Sequence, residues 1–156
     1  MVEYKKATEN DGENIAKVLV KSFNIASIEE GIEIFKRESQ KDNFIIAEED
    51  GKILGLISWD MHGLPKHQLI RIERIAVIQN EKLKELGEGL FRKAMEDADK
   101  YYKSMKLKLR KVYAMVHSSN KGLKDFYEDL GFMVEARLKD HFYNGVDEYL
   151  LSIFFE

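Results

Sequence analysis

The chain has 156 residues, 44% hydrophobic and 34% charged, with 25 lysines and arginines against 28 aspartates and glutamates. One domain of that length buries roughly 68–70% of its unfolded surface and needs neither metal nor disulfide to hold it together. The sequence has no cysteine, which excludes disulfide scaffolds, thiolate zinc sites, iron–sulfur clusters and cysteine nucleophiles, and a net charge of -3 creates no general field for nucleic acid. No apolar run approaches the roughly 20 residues that span a bilayer, and the opening Met1-Val-Glu-Tyr-Lys-Lys6 is no signal peptide. A soluble, cytoplasmic, single-domain protein over 1–156 is expected, with no membrane partner and with nucleic acid disfavoured as one, the basic run 103–111 being the one segment that could touch RNA.

Val2 to Ala7 reads as a short strand, and the cluster Thr8-Glu-Asn-Asp11 opens a helix near 11–23 with Ile15, Val18, Leu19 and Phe23 at helical spacing. Ser27-Ile-Glu-Glu30 is a capping-box pattern, with Glu30 expected on the Ser27 amide, and starts a second helix reaching about Gln40. The period then changes. Phe44 to Glu49 and Lys52 to Asp60 are strands joined by the two-residue turn Asp50-Gly51. Met61 to Lys66 is a loop, and Gln68 to Ile78 is an isoleucine-rich central strand. Leu83, Leu86, Leu90, Phe91, Ala94, Met95, Ala98 and Tyr102 trace one face of a long helix. A strand over Lys111 to His117 and a helix over Asn120 to Leu130, closed by Gly131, follow. Two last strands, Phe132 to Leu138 and Val146 to Phe155, flank an Asn144-Gly145 turn. The order β-α-α-β-β-β-α-β-α-β-β predicts a mixed α/β (α+β) sheet of about seven strands with helices on both faces.

Chemistry concentrates where the strand Arg71-Ile-Glu-Arg-Ile-Ala-Val77 feeds the helix opening Leu86-Gly-Glu-Gly-Leu-Phe91 through the loop 78–85. Unpaired N–H groups at a helix start, aligned with the dipole, form an anion site, and Lys82 and Lys84 add charge. The four histidines, His62, His67, His117 and His141, show no ligand spacing, so no metal is expected. The basic run Lys103 to Lys111 reads as a solvated helix end, Trp59 as a buried strand residue, and Glu29, Glu30, Glu33 and Glu38 as the wet face of the second helix.

The segment Asn120-Lys-Gly-Leu-Lys-Asp-Phe-Tyr127-Glu-Asp-Leu-Gly131-Phe132 resembles the Asn…Tyr-x-x-x-Gly-Phe signature of the GNAT superfamily of acyl-CoA-dependent N-acetyltransferases. Element order and length are similar to that family over nearly the whole chain. The resemblance implies transfer of the acetyl group of acetyl-CoA, without a metal, to a primary amine of a small molecule, a polyamine included, or of a peptide. It implies a cofactor held by the backbone of Ile75, Ala76 and Val77 in a sheet splayed near Val77, by the loop Lys82-Leu83-Lys84-Glu85-Leu86-Gly87, and by Asn120. It also implies an oxyanion donor at the Val77 amide and Tyr127 as the acid that protonates the leaving sulfur. Glu73 is the candidate base, on a strand face with Arg71, Ile75 and Val77. The family's pyrophosphate loop reads Arg/Gln-x-x-Gly-x-Gly/Ala, so here Lys82 replaces the first residue and Glu85 takes a glycine's place. A carboxylate is unfavourable beside a pyrophosphate unless it points outward. The alternative on the same fold is a non-catalytic acyl-CoA-binding or regulatory module, and an exposed C-terminal strand leaves a homodimer open.

Overall fold

Alternation, helical period and turn residues place fourteen elements, of which three are single 3-10 turns. The computed structural model describes residues 1–156 and runs β1 (Glu3–Lys6), α1 (Gly12–Ser22), α2 (Ile28–Glu38), β2 (Asn43–Glu49), β3 (Lys52–Met61), β4 (Leu69–Val77), α3 (Leu83–Lys103), β5 (Lys111–His117), α4 (Lys121–Asp129), β6 (Met133–Tyr143) and β7 (Val146–Phe154). The seven strands form one mixed sheet in the order β1-β2-β3-β4-β5-β7-β6. β4 and β5 are parallel, as the crossover through α3 requires. No helix is long and apolar enough to cross a membrane.

The expected order is the observed one, with boundaries shifted by a few residues. One shift matters for function: α3 begins at Leu83, so residues 83–85 form its first turn and not the end of a loop. A smaller correction concerns the α2 cap. Ser27 Oγ accepts from the Glu30 amide at 3.1 Å, but Glu30 reaches back to the Ala26 amide at 3.0 Å, one residue earlier than the pattern suggests.

The backbone divides into two compact units, Met1–Asp60 with Glu73–Ala98, and Met61–Ile72 with Asp99–Glu156. In the first, Ile15, Val18 and Leu19 of α1 and Ile34 and Phe35 of α2 meet Phe44 and Ile46 of β2 and Leu56 of β3 in one apolar cluster. The opposite sheet face carries small residues. Tyr4 pairs with Ala47, and Ala47 with Gly55, so all three share a side. α3 closes on that side: a Cβ at Gly89 would lie 2.1 Å from the Tyr4 ring, and one at Gly55 would lie 3.3 Å from Leu90. Side chains of ordinary size there would push the helix off the sheet.

α1 and α2 meet through Gly31. A Cβ there would fall 2.8 Å from the Ala16 Cβ and 3.0 Å from its Cα, and backbone cannot swing aside. Replacing an ordinary helix-interior glycine by alanine gains about 1 kcal/mol. At Gly31 the sign reverses: Gly31→Ala is expected to lose about 1–3 kcal/mol through overpacking, read as a drop of roughly 3–10 °C in thermal midpoint.

In the second unit, β7 pairs with β5 on one side and β6 on the other. The C-terminal strand is therefore an interior strand, which corrects the expectation that it is free to pair across a dimer; the edge is β6, with Met133, Val134, Phe142 and Tyr143 exposed. Tyr102, fully buried, donates from its hydroxyl to the Leu69 carbonyl at 3.2 Å. Lys106, with φ of 59°, turns the chain after α3, so the basic run 103–111 is a helix end, a turn and a strand start. Lys103 pairs with Asp99 and Lys111 with Glu135.

Candidate active site

β4 ends in Ile75, Ala76 and Val77, all buried, and the β3 bulge fits closely beneath them. A Cβ at Gly55 would lie 2.8 Å from the Ala76 carbonyl oxygen and 3.0 Å from a Val77 methyl. The Ile78 amide donates to the Leu54 carbonyl at 2.9 Å. Successive N–H groups of a strand alternate between its two edges, so the Val77 N–H faces away from β3.

The chain then makes one tight turn, Asn80–Lys82, before α3. The Leu83 amide is used on the Asn80 carbonyl. The next N–H groups, on Lys84, Glu85 and Leu86, lie in the first turn of α3, directly after that 3-10 turn. Lys82 and Lys84 are exposed beside them. Glu85, the residue that breaks the expected glycine pattern, takes the helix face of Gly89 and Arg92, at spacings of four and seven. That face lies against Tyr4. Burial raises the Tyr4 phenol above its ordinary pKa, with the Glu85 charge adding to the rise and Arg92 opposing it. Glu85 thus lies on the side of α3 that meets Tyr4, and the positive helix end with its two exposed lysines suits an anion such as a pyrophosphate.

Glu73 lies on β4, four residues before Val77, with Arg71 and Arg74 flanking it in sequence. Arg74 is held elsewhere: its Nε and Nη2 donate to the two Glu38 carboxylate oxygens, each at 2.8 Å, which ties β4 to the end of α2. This takes Glu38 out of the solvated face, whereas Glu29, Glu30 and Glu33 are exposed. Glu73 instead joins Asp42 and Asp60, with one carboxylate oxygen of each lying within 4.8 Å of the others. Lys41 reaches over the three, with Nζ 3.5 Å from Asp60, 3.9 Å from Glu73 and 4.0 Å from Asp42. Desolvation first, then the neighbouring Glu73 charge, raises the Asp42 pKa to about 6, with Lys41 pulling the other way. The same carboxylates hold the Lys41 ammonium charged above its usual range. Arg37, Glu38, Lys41, Asp42, Glu73 and Arg74 line a pocket of about 370 Å³. Sequence reasoning missed Asp42 and Asp60, because they sit at the start of β2 and the end of β3, and only the hairpin register brings them together.

In the second unit, Asn120 caps α4: its Oδ1 accepts from the Leu123 amide at 3.1 Å. The far end of α4 explains the spacing Tyr-x-x-x-Gly-Phe. The Phe132 amide donates to the Tyr127 carbonyl and the Gly131 amide to the Glu128 carbonyl, both at 3.0 Å, and Gly131 has φ of 106°. These are the two bonds of a Schellman cap, whose flanking positions also make an apolar contact. Here that contact is Tyr127 on Phe132, ring centroids 5.0 Å apart. Tyr127 also lies 5.5 Å from Phe126, is 1% exposed, and its burial pushes the phenol pKa well above the ordinary value. Three histidines use a ring nitrogen within this unit: His62 with the Tyr113 hydroxyl, His67 with the Leu64 amide, and His117 with the buried Glu148 carboxylate.

Residues 13–132 match the sequence pattern of the Acetyltransferase (GNAT) family. No curated protein matches the chain in sequence. Solved structures of the same fold include a GNAT-family acetyltransferase from Streptococcus pneumoniae, 17% identical, covering 100% of both chains with a TM-score of 0.76. The ribosomal-protein-S18-alanine N-acetyltransferase of Escherichia coli is 13% identical, covers 99% of this chain and 94% of its own, and gives 0.77. A mutant form of a spermidine N-acetyltransferase from Vibrio cholerae is 17% identical, covers 98% and 93%, and gives 0.76. Since the family pattern spans about three quarters of the sequence and runs through both β4 and the Tyr127 cap, the chain belongs to the GNAT family of acetyltransferases.

Proposed function

We propose that the protein transfers the acetyl group of acetyl-CoA directly to a primary amine of a small molecule or peptide. The observation that supports this most is the start of α3, where the exposed Lys82 and Lys84 stand at the positive end of a 21-residue helix while Glu85 takes the helix side that faces Tyr4. Acetyl-CoA would supply the acyl thioester. Lys82, Leu83, Lys84, Glu85, Leu86 and Gly87 would hold its pyrophosphate, chiefly through backbone amides and the two ammonium groups, and Ile75, Ala76 and Val77 would hold its arm. Asn120, already a helix cap, is proposed to add a hydrogen bond from the other side of its amide. The Val77 N–H would polarise the thioester carbonyl. Glu73 would take a proton from the acceptor ammonium and free its lone pair. As the N–C bond forms and the C–S bond breaks, the Tyr127 hydroxyl would give its proton to the departing thiolate. Its raised pKa keeps that proton on the oxygen until then. The second proton, shed by the acylated nitrogen, would return to the Tyr127 oxygen. By their names, fold relatives acetylate an alanine of a ribosomal protein and spermidine, and both acceptors supply the amine this scheme needs.

Titrating the full chain with acetyl-CoA in a calorimeter is the direct test. Micromolar affinity is expected, weakened by Lys82→Ala with Lys84→Ala and by added salt, because the phosphate contacts are charge-based. No heat at millimolar acetyl-CoA would overturn the proposal. Affinity without turnover on a broad amine panel would replace the enzyme by a non-catalytic acyl-CoA-binding module.

A further inference from the structure

We propose that Asp42, Asp60 and Glu73 form the subsite for the acceptor's ammonium, and that the acceptor carries this ammonium on an unbranched aliphatic arm. The inference rests on the acyl-transfer reading above and specifies its acceptor.

Three observations carry it. Asp42 is only 8% exposed, and its Oδ1 is buried with no hydrogen-bond partner, although the residue lines the pocket of about 370 Å³ and one of its carboxylate oxygens lies in reach of the other two carboxylates. A buried carboxylate oxygen without a donor is costly, so the site is complete only when a donor arrives. Secondly, three oxygens from three elements converge within 4.8 Å of one another. A primary ammonium has three N–H donors in a compact tripod, whereas a guanidinium spreads its donors in a plane. Thirdly, Lys41 already presents such a group to this spot. Its contacts of 3.5, 3.9 and 4.0 Å are longer than the roughly 2.7–2.9 Å of a charge-assisted hydrogen bond, and its side chain is 67% exposed. It is a tethered alkylammonium resting above the trio, easily exchanged for one that seats deeper. The nearby Arg74 does not compete, because both oxygens of Glu38 hold it.

The test uses the full chain and 1,5-diaminopentane as probe, followed by calorimetry with acetyl-CoA affinity measured alongside. Lys41→Met is expected to tighten the diamine about tenfold, by removing the tethered competitor and a positive charge. Asp42→Asn and Asp60→Asn are each expected to weaken it about tenfold or more. All three should leave acetyl-CoA affinity within about twofold, since the pyrophosphate donors lie on α3. Diamine affinity unchanged by Lys41→Met, or unchanged by both Asp variants, would overturn the proposal. So would tight binding of Mn²⁺ or Ca²⁺ that Asp42→Asn abolishes and the diamine does not compete for, because the trio would then be a metal site. Failure of the acyl-transfer reading looks different, with acetyl-CoA unbound by every form whatever the diamine does.

Discussion

Tyr127→Phe is expected to lower kcat by about 10²–10⁴-fold, the usual weight of a general acid, with acetyl-CoA affinity and thermal midpoint close to those of the parent. The Schellman cap separates the two roles of this residue. The cap uses the Tyr127 carbonyl, and the packing uses its ring against Phe126 and Phe132; phenylalanine keeps all of these. Only the hydroxyl is lost, and its raised pKa makes it a proton donor across the working range. Single-turnover measurements would place the defect at thiolate departure. A variant that turns over at the parental rate would show that Tyr127 serves the helix end alone. Tyr127→Ala would not discriminate, since it empties a buried position and is expected to cost about 3–5 kcal/mol by analogy with buried phenylalanine.

The elements were legible because their signals are local. The helical stripe of Leu86, Leu90, Ala94 and Ala98, the Asp50-Gly51 hairpin and the glycine after α4 each follow from spacing and backbone freedom within a few residues. Glu85 shows what such reading lacks. As a letter in a loop it conflicts with a phosphate site, yet its direction is set by a helix that starts at Leu83 and packs on Tyr4, some eighty positions away in sequence. Glu73 is the same lesson with the opposite sign. Arg71 and Arg74 flank it in sequence, but Glu38 takes Arg74, while Asp42, Asp60 and Lys41 come to it from distant segments. Packing between distant segments decides both. β7 was misplaced for a related reason: an apolar final strand looks like an edge, and only the pairing of β6 beyond it makes it interior.

Glu73→Gln should cut kcat/KM by about 10²–10⁴-fold near neutral pH if this carboxylate is the base, and a second readout separates that role from a structural one. Asp42 has a pKa of about 6 in the folded protein against 3.8 for the free side chain. Between those values the native state binds more protons than the unfolded one, so stability falls as pH rises from about 4 to about 6 and stays lower above that. Asp42 faces Glu73, Asp60 and Glu38, which hold its proton on, and Lys41, which works against them. After desolvation, Glu73 is the largest of these influences. Glu73→Gln is therefore expected to bring the Asp42 pKa down and to make the decline in stability shallower and confined to lower pH. Asp42→Asn should abolish this component, raising the thermal midpoint at pH 7 relative to the parent while leaving it nearly unchanged at pH 4. The component is on the order of 2–3 kcal/mol, or roughly 5–10 °C. An alkylammonium seated in the trio would favour ionised Asp42, so stabilisation by the amine should grow as pH rises through 6. Thermal melts at pH 4, 5, 6 and 7, with and without amine, resolve all three effects. Parallel curves for the parent, Glu73→Gln and Asp42→Asn would mean that the two carboxylates do not interact, and Glu73 would then be an isolated residue on a solvated strand face.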